Sequence, residues 1–115
     1  MTTKTITEQR ADVRIFAGDD LAHTATGYCG ISSPTPALAP LMLDEESGRL
    51  VLWDGQKAGT AVGVLALPLQ GGESHLTYWK NGTFATEILQ WPEGVDDVKK
   101  ANAFAGSALS HATLP

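Results

Sequence analysis

Apolar and polar positions along the chain form short blocks separated by turn residues, and only one block has helical spacing. Leu41-Met42-Leu43 and Arg49-Leu50-Val51-Leu52-Trp53 are short apolar runs on either side of Asp44-Glu45-Glu46-Ser47-Gly48, a polar turn that ends in a glycine able to take positive φ. They predict a hairpin. Asp54-Gly55 marks another turn. Ala61 to Leu67 is apolar at nearly every position, the pattern of a strand buried on both faces, and Pro68 ends it. His75–Lys80 and Thr83–Gln90 flank Asn81-Gly82, which predicts a second hairpin with a type I′ turn. In its second strand Phe84, Thr86 and Ile88 share one face and Ala85, Glu87 and Leu89 the other. After the break at Trp91-Pro92-Glu93-Gly94, Val95–Phe104 predicts a helix: acidic Asp96 and Asp97 open it, basic Lys99 and Lys100 follow, and Gly106 stops it. Val98, Ala101 and Ala105 would line its inner face. Ser107–Leu114 predicts a returning strand.

Two stretches lack this order. Residues 31–40 carry Pro34, Pro36 and Pro40 and few charges, so they predict an extended irregular loop packed on the body. Residues 1–20 are rich in β-branched threonine but poor in large apolar groups, too poor to offset their own ordering entropy. They read either as a disordered terminus or as an arm that becomes a strand when a partner offers a sheet edge. The fold class is therefore β-dominated, all-β with one short C-terminal helix. It divides into an arm over 1–20 and one small domain over 21–115.

Length and composition narrow the function classes. A chain of 115 residues and 12.1 kDa supports one core; about two-thirds of its extended surface would be buried on folding. Long loops around short strands favour completing that burial by oligomerisation, and the three tryptophans are interface candidates, with Trp53 and Trp91 expected to be buried by core or subunit contact. Eight basic against thirteen acidic residues give a net charge of −5, the wrong sign for gripping nucleic acid or an anionic membrane. A single cysteine excludes an internal disulfide. No apolar run has the length of a membrane span, and the first residues lack a signal-peptide core, so the expectation is a soluble protein made inside the cell.

Candidate chemistry is thin. His23, His75, His111 and Cys29 show no metal-ligand spacing. Cys29, or a serine, with His23 is the one nucleophilic pairing to consider, and no G-x-S-x-G elbow accompanies it. Acidic pairs at Asp19-Asp20 and Asp96-Asp97 and the run Asp44-Glu45-Glu46 read as solvated turns and a helix start. Three classes stay open on these residues: a structural interaction protein, a β-rich binding module with an unknown protein ligand, and a small hydrolase.

Seven strings in order add a resemblance. They are Ala22-His23-Thr24-Ala25-Thr26, Pro40-Leu41-Met42-Leu43-Asp44, Val51-Leu52-Trp53-Asp54-Gly55, Ala61-Val62-Gly63-Val64-Leu65, Gly82-Thr83-Phe84, Trp91-Pro92-Glu93 and Lys99-Lys100-Ala101-Asn102-Ala103-Phe104-Ala105-Gly106. With the arm Thr3–Arg10, the set resembles the head decoration protein D family of lambda-like tailed phages over essentially the whole chain. The resemblance implies a β-clip-type fold and a stable homotrimer. It implies binding to the outer surface of the expanded head at threefold and quasi-threefold positions, as a cement that clamps major capsid proteins against the pressure of packaged DNA. It further implies a virion protein made in the host cytoplasm, with no enzymatic role, no cofactor, and no nucleic-acid or membrane partner. In the family the arm is mobile in the free trimer and pairs as a strand with the capsid protein. That points to Thr3, Lys4, Thr5, Ile6, Thr7, Val13, Arg14, Ile15 and Phe16 as capsid contacts. His23, Trp53, Asp54, Gly55, Phe84, Trp91, Pro92 and Phe104 are the family-motif positions expected to be structural. The chain departs from the family pattern at Leu21, where a proline is expected, and at Tyr28-Cys29, where small residues are common.

Overall fold

Seven strands, one short helix and one 3-10 turn make up the computed structural model, which describes residues 15–114. In chain order they are β1 (Thr24–Tyr28), β2 (Pro40–Leu43), β3 (Leu50–Leu52), β4 (Gly63–Leu65), β5 (His75–Trp79), β6 (Asn81–Ala85), a 3-10 turn (Thr86–Ile88), α1 (Asp97–Ala101) and β7 (Ala108–Ala112). Five strands form an antiparallel sheet in the order β1-β5-β4-β2-β3. β6 and β7 form a separate parallel pair, Asn81 facing Ala108 through to Ala85 facing Ala112. The β-dominated fold with a single short helix is the one expected. Among the described residues no helix is long and apolar enough to cross a membrane.

β4 explains the layering. Alternate residues of a strand point to opposite faces, and here both faces are covered. Leu65 enters one core with Leu41, Leu50, Leu69, Leu76, Cys29 and Ile31. Its neighbour Val64 enters a second core with Trp53, Phe84, Leu89, Phe104 and Leu109. The first core is closed by the proline-rich loop, which pairs with the chain after β4 through Thr35 N–H to Leu69 O at 3.0 Å and Leu69 N–H to Thr35 O at 2.8 Å. The second lies between the five-stranded sheet and the β6–β7 pair, with Leu89 and, beyond α1, Ala103 and Phe104. A strand buried on both faces is as expected but shorter, Gly63–Leu65 rather than Ala61–Leu67, with Leu67 exposed, and the packed, weakly charged loop is as expected. So is the β2–β3 hairpin, in the register Leu41 to Leu52 and Leu43 to Leu50.

The predicted hairpin around Asn81-Gly82 is absent. β5 pairs with β1 and β4, β6 pairs in parallel with β7, and only Lys80 separates β5 from β6. A type I′ turn needs positive φ at both central residues, but Leu38 is the one non-glycine residue with positive φ among those described. Asn81 stays extended because its Oδ1 accepts the His23 N–H at 2.7 Å, while Lys80 N–H donates to His23 O at 3.0 Å. The dipeptide carries the chain from one sheet to the other instead of reversing it. The strand after it also ends early, at Ala85. Thr86 turns away, its hydroxyl 2.7 Å from His111 Nδ1 and its carbonyl accepting the Trp91 indole N–H at 3.0 Å.

The helix is shorter than its predicted span. Asp96 caps it by accepting Lys99 N–H at 2.8 Å. It stops after Ala101 because Asn102 and Ala103 give their carbonyls to Gly59 N–H and Ala61 N–H. The inner face also differs from expectation: Val98, Ala101 and Ala105 are exposed, while Ala103 and Phe104 turn into the core beyond the helix end.

Candidate functional site

The expected arm contacts Thr3, Lys4, Thr5, Ile6, Thr7, Val13 and Arg14 lie outside the described residues. Ile15 and Phe16 lie within them, on the domain itself. Phe16 is bridged antiparallel to Phe84 of β6. Ala17 N–H donates to Thr83 O at 3.0 Å and Ala85 N–H donates to Ile15 O at 2.7 Å. β6 is thereby flanked by β7 on one side and by the arm root on the other. The Phe16 ring, half-buried, stands 5.0 Å from Phe84 and 5.4 Å from Trp79, the latter at 88°. These are edge-on and tilted arrangements that aromatic pairs favour.

The platform under this root is held by burial and cross-strand hydrogen bonds. Phe84 is fully buried, and Thr83 Oγ1 meets Ser110 Oγ at 2.8 Å across to β7. Beyond the end of β6, His111 ties β7 to two neighbours: Nδ1 faces Thr86 Oγ1 and Nε2 lies 2.6 Å from Lys100 O. Because a carbonyl only accepts, Nε2 carries the proton in that contact. The ring packs edge-on against Trp91 at 4.9 Å, and Lys100 Nζ lies over Trp91 at 5.9 Å. Glu87 holds the C-terminal segment by accepting Leu114 N–H.

The remaining motif residues build the frame around this platform. Trp53 is 1% exposed and donates its indole N–H to Thr60 Oγ1 at 2.9 Å; its ring meets Trp91 edge-on at 6.1 Å. Its burial comes from its own chain, and Trp91 is half-buried. Asp54 Oδ1 closes a turn by accepting Gln56 N–H at 2.9 Å. Gly55 has φ +74° and is buried against Pro92 and Val95. Phe104 is buried beside Trp91 and His111. His23 is exposed and acts through its backbone.

The departures from the family pattern fall at and near β1. Leu21 is exposed, and Tyr28 stands at the sheet edge with its ring 4.7 Å from His75 and Arg49 above it at 5.7 Å. Cys29 is buried, its Sγ accepting Ile31 N–H at 3.4 Å. Among the described residues no group of three or more His, Cys, Asp or Glu is placed to hold a metal ion. A groove of about 590 Å³ opens beside the β2–β3 turn, lined by Met42, Leu43, Asp44, Glu46, Asp54 and Lys57, and it holds no nucleophile paired with a base. Sequence reasoning missed Asn81 as a tether and His111 as a latch, since both act on partners remote in sequence.

The arrangement is a sheet edge with the segment Ile15–Ala17 of the same chain laid along it. Residues 5–112 match the family of bacteriophage lambda head decoration protein D. The chain is 76% identical over 115 residues, the full length of both, to the head decoration protein of Enterobacteria phage P21. It is 43% identical over 106 residues, 91% of this chain and 96% of the relative, to the putative decoration protein of Escherichia phage N15. The chain belongs to the head decoration protein D family.

Proposed function

We propose that this chain decorates a phage head as a cement. It binds as a homotrimer to the outer surface of the expanded shell at threefold and quasi-threefold positions and stabilises the shell against packaged DNA. The observation that carries this reading is the full-length identity of 76% to a head decoration protein. The role requires neither catalysis nor a cofactor. The protein is made in the host cytoplasm and ends on the virion, with the major capsid protein and its own copies as partners.

The arm does the gripping. Residues 3–7, 13 and 14 pair as a strand with an edge of the capsid protein, where main-chain hydrogen bonds give affinity at little demand on side-chain identity. A threonine-rich segment suits that pairing. Trimerisation presents three arms at fixed spacing, so weak single contacts add through effective concentration, and only a lattice with matching edges engages all three.

Cosedimentation with purified shells tests this. The protein binds expanded shells and leaves unexpanded ones free. Deleting residues 2–14 leaves a folded trimer by light scattering and lowers shell binding at least about a hundredfold. Equal binding to both shell forms, or full binding without the arm, refutes the reading.

A further inference from the structure

We infer that Ile15–Ala17 is a clip by which the chain holds the root of its own arm, and that Phe16 is its anchor, a positioning residue that fixes where the arm leaves the domain. The inference rests on the arm-pairing reading above and assigns Phe16 to the domain rather than to the capsid.

The hydrogen bonds define the clip. They run from Ala17 to Thr83 and from Ala85 to Ile15, flanking the pair Phe16–Phe84 rather than joining it. That makes Phe16–Phe84 a non-hydrogen-bonded position, where facing side chains in an antiparallel pair come closest. Two main-chain bonds alone are marginal, because each replaces a bond to water. What holds the clip is the Phe16 ring seated on Phe84 and Trp79. Gly82 borders the seat: a Cβ there would make ordinary contact with Phe16 Cε1 at 3.8 Å but would crowd Ala22 Cβ at 2.9 Å.

The clip also has a defined end. Antiparallel pairing carries the chain, read toward its N-terminus, past Ala85, where β6 gives way to the 3-10 turn. β6 offers no further strand residue there, so among the described residues pairing along β6 ends at Ile15. A root fixed at this point raises the effective concentration of the arm at the capsid edge and lowers the freedom lost on binding.

The test compares Phe16→Ala, Phe16→Leu and deletion of residues 2–14 by three readouts: hydrogen exchange at the Ala17 and Ala85 amides, trypsin cleavage at Arg14–Ile15, and affinity for expanded shells. Phe16→Ala speeds exchange at both amides at least about tenfold and exposes the tryptic site. It also weakens shell binding about tenfold with arm residues 1–14 intact, whereas Phe16→Leu stays near wild type. Unchanged exchange in Phe16→Ala overturns the anchor. Faster exchange with unchanged shell affinity, while the deletion abolishes binding, overturns the positioning role and leaves the arm reading standing. Full binding by the deletion variant overturns the arm reading and the positioning role together, with exchange still reporting the clip. Should Phe16→Ala fail to fold, Ala17→Cys with Thr83→Cys locks the root by a disulfide. Full shell binding in the oxidised form is expected, and loss of binding that reduction restores overturns the inference.

Discussion

Asp44 closes the turn between β2 and β3 with one carboxylate. Its Oδ2 accepts the Ser47 N–H at 2.9 Å and the Ser47 hydroxyl at 2.8 Å, and these two bonds hold its carboxyl below its ordinary value of 3.8. Glu73 does the same for the 70–73 turn by accepting Gln70 N–H and Gly71 N–H, again with a lowered pKa. A carboxyl whose pKa is lower folded than unfolded adds stability above its unfolded value and loses it as pH falls through the folded value. Both turns are therefore at full strength at neutral pH and loosen only below the ordinary carboxylate range. Carboxyl-carbon NMR should place the Asp44 midpoint below its ordinary value of 3.8. In Ser47→Ala it should rise part of the way back, since the larger contribution, the backbone N–H, survives. An Asp44 midpoint that does not move in Ser47→Ala would remove the hydroxyl from this account.

At the scale of elements, β6 depends on Gly82. Its φ is +118°, outside the range side chains tolerate, and an added Cβ would sit 2.9 Å from Ala22 Cβ. Gly82→Ala should cost about 1–3 kcal/mol in denaturant unfolding, and the disturbance should reach the His23–Asn81 tether before it reaches the β2–β3 hairpin. The two regions differed in how readily they could be read from the chain. Leu41–Leu43 and Arg49–Trp53 meet across a five-residue turn, so the pattern and the contact lie in one window, and the hairpin was legible. The doubly buried strand was legible within Ala61–Leu67 from its continuous apolarity, but its end was not: β4 stops at Leu65, and Leu67 is exposed. Asn81-Gly82 misled because its local preference for a turn is overruled by the His23 backbone, 58 residues away. The helix was overextended because the groups that stop it, Gly59 and Ala61, come from a loop before β4. The arm expected over 1–20 lies mostly outside the described residues. The seat of Phe16 was not legible, since an alternation of Val13, Ile15 and their neighbours says nothing about Phe84 and Trp79.

Over the whole molecule, charge separates residues 1–14 from the rest of the chain. Residues 1–14 hold three basic residues, Lys4, Arg10 and Arg14, against two acidic ones, while the rest of the chain holds five basic against eleven acidic. In the proposed cement role, neighbouring copies on a shell would meet as acidic bodies, and the segment proposed to grip is close to neutral. Strand pairing through main-chain bonds does not depend on net charge, whereas repulsion between exposed charges fades as salt shortens the screening length. Affinity for expanded shells should change less than about threefold between about 50 mM and about 500 mM salt, and dense occupancy should improve slightly. A binder that neutralised six to ten phosphates would instead lose roughly a thousandfold or more over a narrower range. A steep loss of shell affinity with salt would mean that Lys4, Arg10 and Arg14 bind as charges rather than as part of a strand. Replacing all three by glutamine would then weaken binding as strongly as removing the arm.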